Sequence, residues 1–535
     1  MKYEDIVSKS VLIQSGSPAV YQLRPKKEKI GTLRRMTLGE KDLNKSNRTI
    51  LLLGETRAGK STLINALVNY TMGVEWEDDV WFQIVKPEKE RTSQLESQTS
   101  DVIVYQIFGF EGKTLPYSLT IIDTPGYGDT RGIEQDAEVS KRLLDWFRSE
   151  DGVHEINAVG LVLKATENRL DERLMYIFDS VVSLFGKNME QNIVALITHS
   201  SGLRPENTLK ALEAANIKCA KDEKNQPVHF LFDNCQSEQK TQTNQDHLKS
   251  SWDLTTDEMG QFTDFLDEAA PQKLMKTVEV LNTRIRLTAC IQNLQERIEL
   301  TELKQREIQQ THDGLKKHEE EIKNNENFTV EVDEVYKVQE DISERRWWAL
   351  GLNYGGAVCC TVCEENCHHP CTMAWYPEHC EVIKDGRCTS CRGKCPVSDH
   401  VKEKKIYVTK TRKVTKTIDY MKNKYEEYKT ERESKLGLLE NLEKEMKELQ
   451  KERDRMLDES FQQVVKLEQI ALNVDSLSSL VHLDFLIEKM EEKGDKKKVK
   501  TLEDIKSQAE KDGRLAAVLR YRFGKITAAV GKVMK

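Results

Sequence analysis

The 535-residue chain has few aromatic side chains, 7% of the total, and only 38% hydrophobic residues in all. A composition this poor in apolar mass does not point to one large core. Long apolar runs are missing as well. The longest stretch free of charge, Trp347 to Cys363, is seventeen residues with three Gly and three Cys, too short and too polar to span a bilayer. The opening residues, Met1-Lys-Tyr-Glu-Asp, lack an apolar segment behind a basic flank, which argues against a secretory leader. The final residues carry no prenylation box. Nor does one sign of charge dominate: 81 basic and 89 acidic residues leave −8, which excludes a polycation or an acidic tail. The expectation is a soluble cytoplasmic protein with no transmembrane segment and no sign of nucleic-acid binding.

Charged residues are plentiful, 32% of the chain against roughly 25% in an ordinary globular protein. High charge of both signs suggests a globular part joined to long charged helices. Nine of the twelve cysteines fall between Cys359 and Cys395, leaving Cys219, Cys235 and Cys290 elsewhere. Without a leader, such a cluster reads as a metal site before it reads as a disulfide framework.

The chain divides by texture. Residues 1–48 hold eleven Lys/Arg against five Asp/Glu and show no sustained periodicity, so a partly ordered basic arm is expected. Residues 49–260 alternate amphipathic stretches with short apolar runs: Ile50–Leu53, Val102–Ile107, Leu119–Ile122, Ala158–Leu163, Ile193–Ile197 and Phe230–Phe232. Runs of that kind are the buried strands of an α/β sheet. A 4,3 spacing then visits Leu287, Ile291, Leu294, Ile298, Thr301, Gln305, Ile308, His312, Leu315, Glu319 and Ile322, and seven of these eleven are apolar. A second seam takes in Met421, Tyr425, Tyr428, Leu439, Leu442, Met446, Leu449 and Met456. The two arms, 261–345 and 406–460, flank the cysteine-rich segment 346–405. That arrangement suggests an α-helical coiled-coil hairpin carrying a metal-bound tip, the alternative being two separate amphipathic helices packed on the α/β domain. Residues 461–535 read as a helical appendage around the lysine run Lys496–Lys500.

The chemistry concentrates in two places. The run Ile50–Leu53 leads into Gly54-Glu55-Thr56-Arg57-Ala58-Gly59-Lys60-Ser61-Thr62, and a helical pattern follows to Tyr70. Strand, glycine loop and helix in that order form a phosphate-binding loop. Its backbone N–H groups gather at a helix N-terminus, where the dipole favours anions. Lys60 is placed to neutralise β/γ oxygens and Ser61 to bind Mg²⁺. A second element, Asp123-Thr-Pro-Gly126-Tyr-Gly128-Asp129, closes the run Leu119–Ile122. Asp123 can hold Mg²⁺ through water, and Gly126 can set a backbone N–H on the γ-phosphate.

This pair of motifs resembles the septin-like branch of the translation-factor class of GTPases, which includes septins, the immune-associated nucleotide-binding (AIG-type) family and the chloroplast-import receptors. The resemblance covers roughly Asn47 to Cys235. It implies a P-loop sheet with helices on both faces, the second strand antiparallel and GTP with Mg²⁺ at the strands' C-terminal edge. It implies a switch threonine just before the second strand, Thr99 with Thr92 as runner-up. Base recognition departs from the usual Asn-Lys-x-Asp motif. Thr198-His199-Ser200 and Asp233-Asn234-Cys235 resemble the import receptors instead. By that analogy His199 packs on the base and Asp233 accepts from guanine, with Asn234 beside it; the alternatives are a strand-end histidine and a helix cap. Arg57 resembles the arginine that guanylate-binding proteins and atlastins use as an in-cis finger, unless it faces solvent or pairs with Glu55. No glutamine is placed to orient an attacking water, so slow hydrolysis, stimulated by self-association through the GTPase domain or the coiled coil, is the expectation.

In the cysteine-rich segment, Cys388 and Cys391 have the two-residue spacing that lets two thiolates share one Zn²⁺. Cys363, Cys367 and Cys371 recur every four residues, and Cys380, Cys395 and His400 lie near. These eight are the expected zinc ligands, enough for two sites, with a thiol-based redox role as the alternative. Three functions compete: a slow Mg²⁺-dependent GTPase switch or assembly module, a nucleotide-bound scaffold whose zinc-tipped arms recruit a protein partner, and an ATPase.

Overall fold

The computed structural model describes residues 2–30, 33–86, 102–124, 143, 146–147, 149, 152–167, 174–175, 178, 182, 185–317, 329–342, 356–371, 374, 376–417, 434–471 and 477–511. The chain forms two compact units. One comprises Met1–Leu281, Ile470–Leu477 and Ile505–Lys535; the other comprises Asn282–Gln469 and Ser478–Asp504. No helix among the described residues is long and apolar enough to cross a membrane.

In the first unit all six apolar runs are strands: Asn47–Gly54, Ile103–Ile107, Ser118–Asp123, Ala158–Lys164, Ile193–Thr198 and His229–Phe232. They read as continuous apolar runs because both sheet faces are covered; Ile50, Leu51, Leu52 and Leu53 are all fully buried. The order from one edge is His229–Phe232, Ile193–Thr198, Ala158–Lys164, Asn47–Gly54, Ser118–Asp123 and Ile103–Ile107. Only Ile103–Ile107 runs antiparallel to its neighbour in this set. On one face Ile50 and Leu52 share a core with Ile64 and Leu67 of the helix Lys60–Met72 and with Phe262 and Leu266 of the helix Gln245–Glu268. This is the expected P-loop α/β sheet.

The basic N-terminal segment, expected as a partly ordered arm, contributes strands. Its hairpin Lys26–Ile30 and Leu33–Leu38 extends the same sheet, with Leu33–Leu38 parallel to Ile103–Ile107. Lysines 26, 27 and 29 therefore sit on the outermost strand, where charge discourages edge-to-edge pairing. Strands Val11–Gln14, Ala19–Gln22 and Val80–Gln83 make a separate small sheet.

The second unit contains most of the helix Met275–Lys317 and of the helix Ser434–Ile470. The first seam is buried at Leu287, Ile291, Leu294, Ile298 and Thr301, and Arg297 joins the two helices through Glu452 at 3.0 Å. The second seam's Met421, Tyr425 and Tyr428 lie outside the described residues. Within the stretches expected as helical arms, residues 329–341 and 405–417 are strands. Thr329–Asp341 and Lys405–Thr417 pair antiparallel along their full length, from Thr329 opposite Thr417 to Asp341 opposite Lys405. The ribbon docks on the first helix through Lys416 to Glu307 at 2.6 Å and Gln310 to the Asp333 backbone at 2.9 Å. The cysteine-rich segment is thus carried by this ribbon. Alternating β-branched residues in Thr329-Val-Glu-Val-Asp and Thr409-Lys-Thr-Arg-Lys-Val-Thr were the sequence signal for it.

Candidate functional site

The strand Asn47–Gly54 hands over to the helix Lys60–Met72 through a loop whose shape depends on two glycines. Gly59 sits at φ +93°, and a Cβ there would lie 3.1 Å from the Thr198 side chain. A Cβ on Gly54 would approach the Val162 carbonyl oxygen to 2.6 Å, so neither position accepts a side chain freely. Thr198, at the end of its own strand, donates its hydroxyl toward the Ala58 carbonyl (2.7 Å) and the Leu163 carbonyl (3.1 Å). That tie holds the loop against the sheet. The Lys60 ammonium, nearly buried, donates to the Gly54 and Glu55 carbonyls at 2.7 and 2.8 Å. The Thr62 hydroxyl bonds the Gly59 carbonyl at 2.8 Å. Ser61 and Thr62 begin the helix and are half-buried, so the helix's first N–H groups and its dipole converge at the loop.

Asp123 is brought beside this loop by strand register. It is paired with Leu52 and is 3% exposed. Thr124 donates its hydroxyl to the Leu52 carbonyl at 2.8 Å, which pins the chain as it leaves the strand. Arg57 is exposed at φ +67°. Gly126, Thr99 and the runner-up Thr92 lie outside the described residues.

The parallel strands also bring together the two segments expected to read the base. Thr198 is paired with Phe232 in register, and the Ser200 N–H bonds the Phe232 carbonyl at 3.1 Å. His199, at φ +53°, is exposed between them. Asp233 is held by its surroundings. Ser251 donates to one carboxylate oxygen at 2.6 Å, Cys235 donates to the other at 3.2 Å, and the Thr255 hydroxyl bridges the Asp233 backbone. Neither Ser251 nor Thr255, on the helix Gln245–Glu268, carries a motif that would have revealed this from sequence. Asn234 is different. Both ends of its side-chain amide are buried with no hydrogen-bond partner among the described residues. A buried polar group left this way is costly unless a ligand completes it.

In the second unit the segment 356–403 forms a three-stranded sheet, Glu365–Cys371, Gly356–Cys360 and His400–Glu403, with a small hairpin Ile383–Lys384 and Arg387–Cys388. Its core is made largely of cysteine. Cys360, Cys367, Cys371, Cys380, Cys388, Cys391 and Cys395 cluster with Val358, Val382 and Ala289. Hydrogen bonds from Arg286 to the Glu381 carbonyl (2.7 Å) and from Asn293 to the Asn366 carbonyl (3.3 Å) fix it to the helix Met275–Lys317. Three groups of ligand atoms form, each within 4.8 Å: Cys360, Cys363, Cys391 and Cys395; Cys367, Cys388, Cys391 and His400; and His368, Cys371 and Cys380. All eight expected ligands appear in them. Cys360 and His368 were not among the eight, although Cys360 stands before Cys363, and His368 before Cys371, at the same two-residue spacing as Cys388 and Cys391.

The thiols of each cluster share charge unevenly. The hydrogen bond between Cys371 and Cys380 lowers Cys371, with His368 helping, and raises Cys380. Cys391 is driven well below the ordinary thiol range by Cys367 and then Cys388. A thiolate is the form that binds a metal.

A glycine loop between a parallel strand and a helix, with a buried aspartate at the end of the adjacent strand, defines a P-loop nucleotide-binding domain. Residues 48–251 match the AIG1 family, so that stretch, less than half the chain, is an AIG1-type P-loop GTPase domain. Among solved structures the chain is similar to Toc33 from Arabidopsis thaliana in complex with GDP and Mg²⁺. The identity is 18% over 43% of this chain and 88% of that one, with a TM-score of 0.29. It is similar to Toc33 with Mg²⁺ and GMPPNP at 19% identity, the same coverages and a TM-score of 0.29. Elongation factor SelB from Methanococcus maripaludis, in complex with the GTP analogue GppNHp, aligns at 13% identity over 42% of this chain and 35% of that one, TM-score 0.23. No curated protein matches the chain.

Proposed function

We propose that the chain binds GTP with Mg²⁺ and hydrolyses it slowly, serving as a nucleotide-controlled switch or assembly module. The observation that supports a base contact here is the Asn234 amide, buried and unmatched near the exposed His199 ring, and the match of residues 48–251 to the AIG1 family favours guanine. An amide offers a donor and an acceptor together, which suits a purine edge, while His199 covers the base face. Asp233 then orients this corner through Ser251 and Cys235 and contributes to the base contact from there. Gly54 to Thr62 cradle the phosphates, Lys60 faces the β/γ oxygens, and Ser61 and Asp123 serve Mg²⁺, with Thr99 and Gly126 as the switch contacts. Arg57 acts in cis on the transferring phosphoryl group once self-association aligns the loop. The cysteine-rich module holds Zn²⁺ and orders the segment that recruits a protein partner.

The test is turnover of GTP and ATP by the purified protein with Mg²⁺, together with competition for a labelled GTP analogue. GTP should be preferred, and Asn234→Ala should narrow that preference. Equal competition by ATP against the wild-type protein would refute the guanine assignment.

A further inference from the structure

We propose that the cysteine-rich module binds three zinc ions, two of them bridged by the Cys391 thiolate and the third held apart by His368, Cys371 and Cys380. This rests on the zinc reading above and gives it a stoichiometry and a ligand pairing. Two of the three ligand groups share one member, Cys391. Two tetrahedra joined at a corner need about seven ligands, and Cys360, Cys363, Cys395, Cys391, Cys367, Cys388 and His400 supply them.

The spacing is that of coordination. A tetrahedron with Zn–S bonds of about 2.3 Å has edges of about 3.8 Å. The sulfurs of Cys363 and Cys395 lie 3.6 Å apart, and those of Cys371 and Cys380 lie 3.8 Å apart. A disulfide would bring such pairs to about 2.05 Å, and all twelve cysteines are free.

Backbone N–H groups point at the sulfurs of the bridged pair. Cys363 N is 3.3 Å from Cys360 Sγ, Cys391 N is 3.3 Å from Cys388 Sγ, and Cys395 N is 3.3 Å from Cys391 Sγ. Gly393 N lies 3.4 Å from Cys363 Sγ, and a Cβ on Gly393 would come within 2.8 Å of Cys395 Sγ. The loop between Cys391 and Cys395 therefore wraps its sulfurs closely. Donors of this kind stabilise thiolate charge and orient the ligands.

His400 supplies independent support. It is 5% exposed, and its Nδ1 lies 2.9 Å from the Pro396 carbonyl. A carbonyl only accepts, so Nδ1 carries a proton and Nε2 is the nitrogen available to a metal. Nε2 is buried without a hydrogen-bond partner among the described residues, in the group that contains Cys391. The imidazole thus presents Nε2 to the group that holds Cys367, Cys388 and Cys391.

The third group is separate in membership. His368 Nδ1 lies 3.1 Å from Cys380 Sγ. Three protein ligands leave one position of the tetrahedron open, so this ion should leave first when a chelator is added.

The experiment uses the full chain. Elemental analysis should find three zinc ions per molecule, falling to two in His368→Ala and staying at three in Cys359→Ser, since Cys359 belongs to none of the groups. After exchange with ¹¹³Cd, NMR should show two mutually coupled resonances, joined through the Cys391 sulfur, and a third without coupling. The coupled pair should survive in His368→Ala. Absence of bound metal would overturn the zinc reading itself. Two coupled ions alone would overturn the third site, and a single ion, or ions with no coupled pair, would overturn the bridged arrangement, in each case leaving zinc binding intact.

Discussion

Replacing Lys60 with Ala tests the nucleotide site most directly. In the free protein the ammonium is engaged with the Gly54 and Glu55 carbonyls at 2.7 and 2.8 Å. Nucleotide binding must exchange those bonds for bonds to phosphate oxygens, so only the difference appears as affinity. A hydrogen bond to a charged group contributes about 1.5–3 kcal/mol, against about 1 kcal/mol for a neutral one. Two exchanged bonds therefore leave a net of about 1–4 kcal/mol, or a loss of roughly 5- to 1,000-fold in affinity. The substitution also removes two internal bonds from the loop, so the melting temperature of the free protein should fall. Titration with a fluorescent GTP analogue in Mg²⁺, paired with a thermal melt of each protein, separates the effects. Affinity within threefold of wild type, in a variant that still melts cooperatively, would refute the phosphate role of Lys60.

The other predictions follow from single contacts. Gly59→Ala should weaken nucleotide binding and lower the melting temperature together, because a left-handed residue with a Cβ costs about 1–2 kcal/mol and would press on Thr198; a calorimetric melt at wild-type temperature would contradict this. Arg57→Ala should cut turnover about tenfold or more while leaving ground-state GTP affinity nearly intact. Wild-type turnover per molecule should rise with protein concentration, and equal rates for both proteins across that range would reject the finger role. Chelation should increase proteolysis within residues 356–403 and leave nucleotide binding largely in place, if bound metal orders that module as proposed; full protease resistance without metal would favour the redox reading. Burial pushes the Cys219 thiol up to about 11. It stays protonated in the fold where an unfolded thiol ionises, so its contribution is complete below about pH 8.5 and is lost as pH rises toward 11. Alkylation of the native protein should therefore be negligible at Cys219 below about pH 9, which peptide mapping would check.

Much of the α/β sheet was readable because its signals are local. Apolar runs such as Ile50–Leu53 and Ile193–Ile197 are long enough, and bounded sharply enough, to mean buried strands. The phosphate loop is one contiguous stretch whose glycine spacing reflects backbone needs. The β ribbon was not read. Its alternation in Thr329–Asp341 is diluted by charge, and the neighbouring 4,3 spacing of Leu287 to Thr301 drew the whole stretch into a helical interpretation. The N-terminal hairpin hid for a related reason. Lys26–Ile30 is an outer strand, and edge strands carry charge instead of a buried pattern.

The sequence by itself determined what is set by neighbours along the chain: the loop from Gly54 to Thr62, the aspartate ending Ser118–Asp123, and the concentration of thiols between Cys359 and Cys395. Tertiary structure alone decided which distant groups meet. Parallel register placed Thr198 on the Ala58 carbonyl and Asp123 beside Leu52. Packing of the helix Gln245–Glu268 engaged the Asp233 carboxylate through Ser251 and left the Asn234 amide unmatched. Folding of the small sheet put Cys360 and Cys391 in one ligand group and Cys391 and His400 in another. A sulfur's partners depend on where the backbone returns after tens of residues, and spacing along the chain carries no record of that return.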